Sequence, residues 1–200
     1  TAAFSQAMAE LYGCKCYAAE ATSHNITRIK ETELISKFHY AIAGEIGTLK
    51  LWIADDECHW GSIRPSGEFK FLISEEVPAI SFSMFLDKIG VLSPDLVKID
   101  IEGAEFELFD ATPDHVLQSV GQLTVEFHDF MNPDWSEAVN RLKERMADLG
   151  FQIFSFSGRF NGDVLFLNRR VINFSAVESL KVSYGLKFFR GFIRIAKRIL

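Results

Sequence analysis

The 200-residue chain contains no apolar run of 18 residues, so it offers no candidate membrane span. No charged, apolar and small-residue leader opens it, and nothing in the sequence points to secretion. Cysteine is scarce. Cys14, Cys16 and Cys58 form an odd set, and Cys-Lys-Cys is not a common zinc or redox spacing. Buried free thiols in a reducing compartment are therefore expected, which places the protein in the cytoplasm and leaves the Asn25-Ile26-Thr27 sequon accidental. There is no internal repeat, no low-complexity tract and no metal-binding spacing such as H-E-x-x-H. Residues 181–200 contain no acid and six basic side chains, leaving 15 basic against 27 acidic residues in the remainder. So acidic a body argues against broad nucleic-acid binding.

What is present is an ordinary soluble composition, 48% hydrophobic and 24% charged. The length suits one domain with a sizeable core, and 19 phenylalanines spread along the chain favour a large core over a single aromatic strip. The expected division is a domain over residues 1–175, incomplete at its amino end because Thr1 falls inside a helical pattern, and a basic amphipathic tail over 176–200.

Phe4, Ala7, Met8 and Leu11 recur at helical spacing before Gly13. CKCYAAE (14–20) reads as a strand ending in an acid, residues 23–35 as helix-compatible, and KFHYAIAG (37–44) as a second strand. TLKLWIA (48–54) opens a hairpin with residues near Trp60–Ile63, followed by a loop at Arg64–Gly67. FKFLIS (69–74) and VPAISF (77–82) read as two further strands, and 81–90 holds a short helix. After a strand over 120–130, WSEAVNRLKERMADLG (135–150) is the clearest helix, with Ser136 as its cap and Gly150 as its stop. Two antiparallel strands, FQIFSFSG and NGDVLFLNR, close the domain. Alternating strands and helices with a final antiparallel pair predict an α/β fold with a mostly parallel sheet.

LVKIDIEGAEFELF (96–109) carries the chemistry. Val97, Ile99 and Ile101 alternate with Lys98, Asp100 and Glu102, and Gly103 then turns the chain into a helix. Ligands of such sheets bind outside the carboxyl ends of the strands. Glu20 ends the first strand, Asp100 and Glu102 end this one, and Glu126 and His128 end the strand after it, so three strands bring polar residues to one rim. Lys98 is expected to pair with a carboxylate, and Glu105 to serve as a helix-dipole partner without chemistry.

The run DLVKIDIEGAEFELF (95–109) resembles the hallmark segment of the FkbM-type methyltransferases. YAAEA (17–21), HYAIAGEIGTLKLWIA (39–54), TVEFHDF (124–130) and NGDVLFLNR (161–169) resemble, in the same order, further strands of that family, so the likeness spans about residues 1–170. The resemblance implies a Rossmann-like sheet that binds S-adenosylmethionine and methylates a hydroxyl of a sugar or small molecule. It implies that Glu20 holds the cofactor ribose, with Ala41 and Glu102 also beside the cofactor, and that Asp100 lies near the methyl donor or the acceptor. The family's first strand and glycine-rich loop, D-x-G-A-N-x-G, are absent from this sequence, and Ala21 stands where the family has proline.

His128 is the expected general base, because its ordinary pKa lies near neutrality, with Asp100 or Glu126 orienting it or sharing the role. A histidine hydrogen-bonded at a strand end is the structural alternative. Two rival functions remain. Asp100, Glu102, Glu126 and His128 could form an oxygen-rich divalent site in a metal-dependent hydrolase or phosphotransfer enzyme, although no metal is assigned on spacing. The chain could instead be a truncated, non-catalytic interaction module. The tail GLKFFRGFIRIAKRIL (185–200) reads either as a peripheral membrane contact or as a segment docked on the acidic body or a partner.

Overall fold

The computed structural model describes residues 2–54, 61–62, 71–129, 135–156 and 161–182. In chain order these form α1 (Ala2–Tyr12), β1 (Cys16–Glu20), α2 (Ser23–Arg28), β2 (Ile35–His39), β3 (Ala41–Ile42), β4 (Gly47–Ala54), β5 (Gly61–Ser62), β6 (Phe71–Ile80), α3 (Phe82–Ile89), β7 (Leu96–Ile99), α4 (Glu105–Ala111), α5 (Asp114–Ser119), β8 (Gln122–Val125), α6 (Trp135–Asp148), β9 (Phe151–Ser155), β10 (Val164–Asn168) and α7 (Ala176–Leu180). Cys58, the Arg64–Gly67 loop and the basic tail from residue 183 lie outside the described residues. No helix among the described residues is long and apolar enough to cross a membrane.

The α/β alternation is as expected, but the strands fall into three sheets rather than one mostly parallel sheet: β1-β2, β7-β8-β10-β9 and β3-β6-β4-β5. Parallel ladders join β1 to β2, β3 to β6 and β7 to β8, while β4–β5, β4–β6, β8–β10 and β9–β10 are antiparallel. The reason lies in residues 47–80. β4 and β6 pair along nearly their whole length, and β6 then captures the short β3 through Ala41↔Ala79 and Ile42↔Ile80. β6 is one strand where two were expected. Pro78 pairs Thr48 of β4, and β3 meets β6 only at Ala79 and Ile80, so no ladder bond from the proline is needed on that side.

Local chemistry sets the helix ends. Thr22 caps α2 by accepting from Asn25 N, and Ser81 caps α3 by accepting from Met84 N. Gly90 closes α3 in the left-handed conformation at φ 68°. Along α6, Val139, Leu142 and Met146 are buried at helical spacing. Ser136 does not cap that helix as expected; it lies within it, and its hydroxyl donates to Asp129 Oδ2 at 3.1 Å.

Each sheet has its own apolar cluster. The largest, under α4, α5 and α6, gathers Phe109, Leu117, Leu123, Phe127, Val139, Met146 and Phe166. Phe127 stands among Phe106, Phe109 and Phe166 at ring separations of 5.9–6.4 Å. Ala41, Leu51, Val77 and Ala79 form the second cluster, and Ala9, Ile29 and Ile35 the third. Bridges between them are few and specific: Phe38 of β2 meets Phe85 of α3 edge-on at 5.5 Å, Ile42 packs against the large cluster, and Ser23 N donates to Glu75 of β6. Gly44, just past β3, lies so close to α4 that a Cβ there would sit 2.9 Å from the Glu107 carbonyl oxygen.

A backbone oxygen cannot swing aside as a side chain can. Gly44→Ala should therefore cost roughly 1–3 kcal/mol, read as a lower urea midpoint at unchanged m-value. An unchanged midpoint would mean that the loop after β3 is not held against α4.

Candidate active site at the tips of β7 and β8

Parallel pairing sets Ile99 opposite Val125, and Glu126 N continues the ladder by donating to Ile99 O at 3.0 Å. Asp100 and Glu126 therefore leave the sheet side by side, and Glu102 and His128 come two residues later on each strand. Phe127, fully buried between Glu126 and His128, anchors this end of β8 in the aromatic core.

The turn from β7 into α4 is closed by a side chain. Glu102 adopts φ 54°, a left-handed conformation uncommon for a non-glycine residue, and Gly103 comes next at φ 98°. These two residues fold the chain back, so that Glu105, in the first turn of α4, lies beneath the turn. Its Oε1 accepts from Ile101 N at 3.3 Å, from Gly103 N at 3.2 Å and from His128 Nδ1 at 2.9 Å. Glu105 is completely buried, and its Oε2 has no hydrogen-bond partner among the described residues.

His128 is held between two carboxylates: Glu105 on Nδ1, and Glu102 Oε2 at 3.0 Å from Nε2. Burial alone would pull the imidazole down, but hydrogen bonds to Glu102 and Glu105, together with their charges, outweigh it and raise the pKa to about 10. The two carboxylates thus favour the doubly protonated ring. Asp100 is paired with Lys98 at 2.5 Å, as expected for that lysine. Glu126 is exposed; partial burial of its carboxyl raises the pKa, and the nearby Asp100 charge raises it further. One ligand atom from each of Asp100, Glu102 and His128 lies within 4.8 Å of the others.

Asp129 fixes the far side. It is buried and accepts from Asn161 N at 3.1 Å, Asn161 Nδ2 at 2.8 Å and Ser136 Oγ. Lys143 of α6 reaches Asn161 Oδ1 and Ser155 Oγ, and burial lowers its pKa against the opposing pull of Asp129. The end of β8 is therefore tied to α6 and to the approach to β10.

The sequence-predicted residues divide in two. Asp100, Glu102 and His128 come together, with Glu126 alongside. Glu20 and Ala41 are carried by the two other sheets. Glu20 ends β1, and its Oε1 accepts from Thr22 N and Thr22 Oγ1, both at 2.9 Å, while Ala41 is buried in β3 with Ala21 packed on its cluster. The link to the tip of β7 runs through β3 and the Gly44–Glu107 approach. Glu105 is the residue that the sequence reading missed. An acid in a helical first turn has a sufficient explanation in the dipole, and only the Glu102-Gly103 reversal hints that it also faces backward onto the strand end.

The shift at His128 ties stability to pH. The folded value exceeds the ordinary 6.5, so the stabilisation is fully present below about pH 6.5 and is lost as pH rises through about 10. Urea unfolding of wild type and His128→Gln, with a chelator present so that only protons compete for the ring, should show a stability gap that narrows from pH 6.5 to 10. Two parallel curves would contradict the paired imidazolium.

The family model described as the methyltransferase FkbM domain matches residues 2–153. Nothing among curated proteins and nothing among solved structures matches the chain. The match covers three quarters of the sequence and includes the β1 tip, the β7–α4 turn and the end of β8: the chain belongs to the FkbM methyltransferase family.

Proposed function

We propose that the chain takes part in S-adenosylmethionine-dependent methylation of a hydroxyl on a sugar or similar acceptor. The observation that carries this reading is the convergence of Asp100, Glu102 and His128, with Glu126 beside them, at the ends of adjacent parallel strands, where α/β folds bind ligands. The residues present fit the cofactor. Thr22 fixes one oxygen of Glu20 with two hydrogen bonds, and the other oxygen would accept from a ribose diol. When bound, S-adenosylmethionine supplies a methyl group on a sulfonium, whose carbon–sulfur bond breaks as the oxygen–carbon bond forms, leaving a neutral thioether.

The chain's own residues then align the acceptor and receive its proton. Both nitrogens of His128 face carboxylates, so its part is to hold Glu102 and the turn in place. Glu126 is exposed at the tip and next to Asp100, and in this reading its carboxylate takes the hydroxyl proton. The Lys98–Asp100 pair positions the acceptor beside it.

Calorimetric titration of the chain with S-adenosylmethionine tests the reading. Binding should be detected, and Glu20→Gln should weaken it about tenfold or more, the usual worth of a hydrogen bond to a charged group. Glu126→Gln should leave that affinity unchanged while lowering labelled-methyl transfer to hydroxyl acceptors by about 10²–10⁴-fold. A folded chain that takes up no S-adenosylmethionine would end the proposal for this polypeptide and favour the interaction-module alternative.

A further inference from the structure

We infer that Asp100, Glu102 and His128 form a divalent-cation site whose remaining positions are open to an acceptor hydroxyl. The role of the cation toward an acceptor rests on the methyl-transfer reading; its binding does not.

One pair of the trio has the spacing of adjacent ligands in a coordination sphere. Ligands about 2.1 Å from a small divalent cation stand about 3.0 Å apart when adjacent and about 4.2 Å apart when opposite. Nε2 of His128 lies 3.0 Å from Glu102 Oε2, and the three candidate ligand atoms all fall within 4.8 Å of one another. The donor set, one imidazole nitrogen and two carboxylates, suits a Mn²⁺, Mg²⁺ or Zn²⁺ ion that keeps further positions for water or substrate oxygen.

Two features around the ligand trio favour a cation. First, the ring is oriented from behind: Nδ1–H donates to Glu105 at 2.9 Å, which leaves Nε2 to face Glu102. A carboxylate behind a histidine fixes the tautomer and raises ligand basicity in metal sites. Second, Glu105 is a wholly buried carboxylate whose Oε2 has no hydrogen-bond partner among the described residues, so its charge is compensated through Oε1 by two backbone amides and the imidazole. Lys98 occupies one oxygen of Asp100, and the carboxylate has a second to offer. A hydroxyl bound to the cation would lie next to Glu126, the proton acceptor in the proposed methyl transfer.

The probe is Mn²⁺ alone, added to the metal-stripped 200-residue chain and followed by loss of the free-ion paramagnetic resonance signal and by calorimetry, with Mg²⁺ and Zn²⁺ as parallel titrants. One Mn²⁺ per chain should bind. Glu102→Gln and Asp100→Asn should each weaken it at least tenfold with an unchanged circular dichroism spectrum. Glu105→Gln, which leaves all three ligands in place, should weaken it about 10–100-fold. No uptake by wild type, or equal affinity in folded Glu102→Gln and Asp100→Asn, would overturn the site. S-adenosylmethionine binding measured separately in a chelator keeps the two readings apart: a chain that binds the cofactor but no cation loses only the metal site, and the reverse result loses only the methyl-transfer reading.

Discussion

One buried carboxylate holds the site together. Glu105 is removed from water entirely, and an isolated ionised carboxylate in such a place would be very costly. It is tolerable because Oε1 accepts from two backbone amides of the turn and from His128. Those three bonds join three otherwise independent things: the reversal after β7, the first turn of α4 and the end of β8. The left-handed Glu102 is part of the same unit, because the turn that Glu105 closes is the turn that places Glu102 against the imidazole. Local strain at residue 102 is thus maintained by long-range bonds, the condition under which such strain persists.

The remainder of the fold supplies the reference frame. Pairing of β7 with β8 in parallel makes equal numbers of residues past Ile99 and Val125 arrive at equal height. Phe127 then inserts into the aromatic cluster, and Asp129 is bound to Asn161 and Ser136. His128 therefore sits between two anchored neighbours, one apolar and one ionic. Both strands are short, so precision at the tip comes from the anchored residues just beyond them rather than from ladder length.

Much of this arrangement was legible in the sequence. The alternation around Lys98, Asp100 and Glu102, the glycine turn and the polar ending of β8 identified the tip, and Lys98 has the carboxylate partner expected for a half-buried lysine. Two kinds of feature were not legible. The first is side-chain direction after a reversal. Glu105 and Ser136 both occupy positions where helix-end rules give a sufficient local explanation, yet each points instead to a partner on another element, His128 and Asp129 respectively. The second is competition among strands. Periodicity identifies β-forming segments but not which neighbour each will choose, and the long β4–β6 ladder drew β3 away from β2 despite their adjacency in sequence. Glu20 and Ala41 consequently belong to different sheets from the β7–β8 tip, a separation that no single-segment pattern encodes.

Charge explains why the tip suits cationic ligands. Asp100, Glu102, Glu105 and Glu126 meet Lys98 and His128, so carboxylates outnumber bases even with the imidazole protonated. Lys98 balances Asp100, whereas the single imidazolium leaves one negative charge on the Glu102–Glu105 pair, and the exposed Glu126 adds a second. In the proposed methyl transfer the donor enters as a cation and leaves as a neutral thioether, so the same excess would favour the donor over its spent form. A divalent ion held by Asp100, Glu102 and His128 would reduce that preference while sharpening the position of the acceptor oxygen. A bound Mn²⁺ would therefore act in opposite directions on donor affinity and acceptor affinity, which makes the electrostatics of a few side chains, rather than the fold around them, the deciding property of the site.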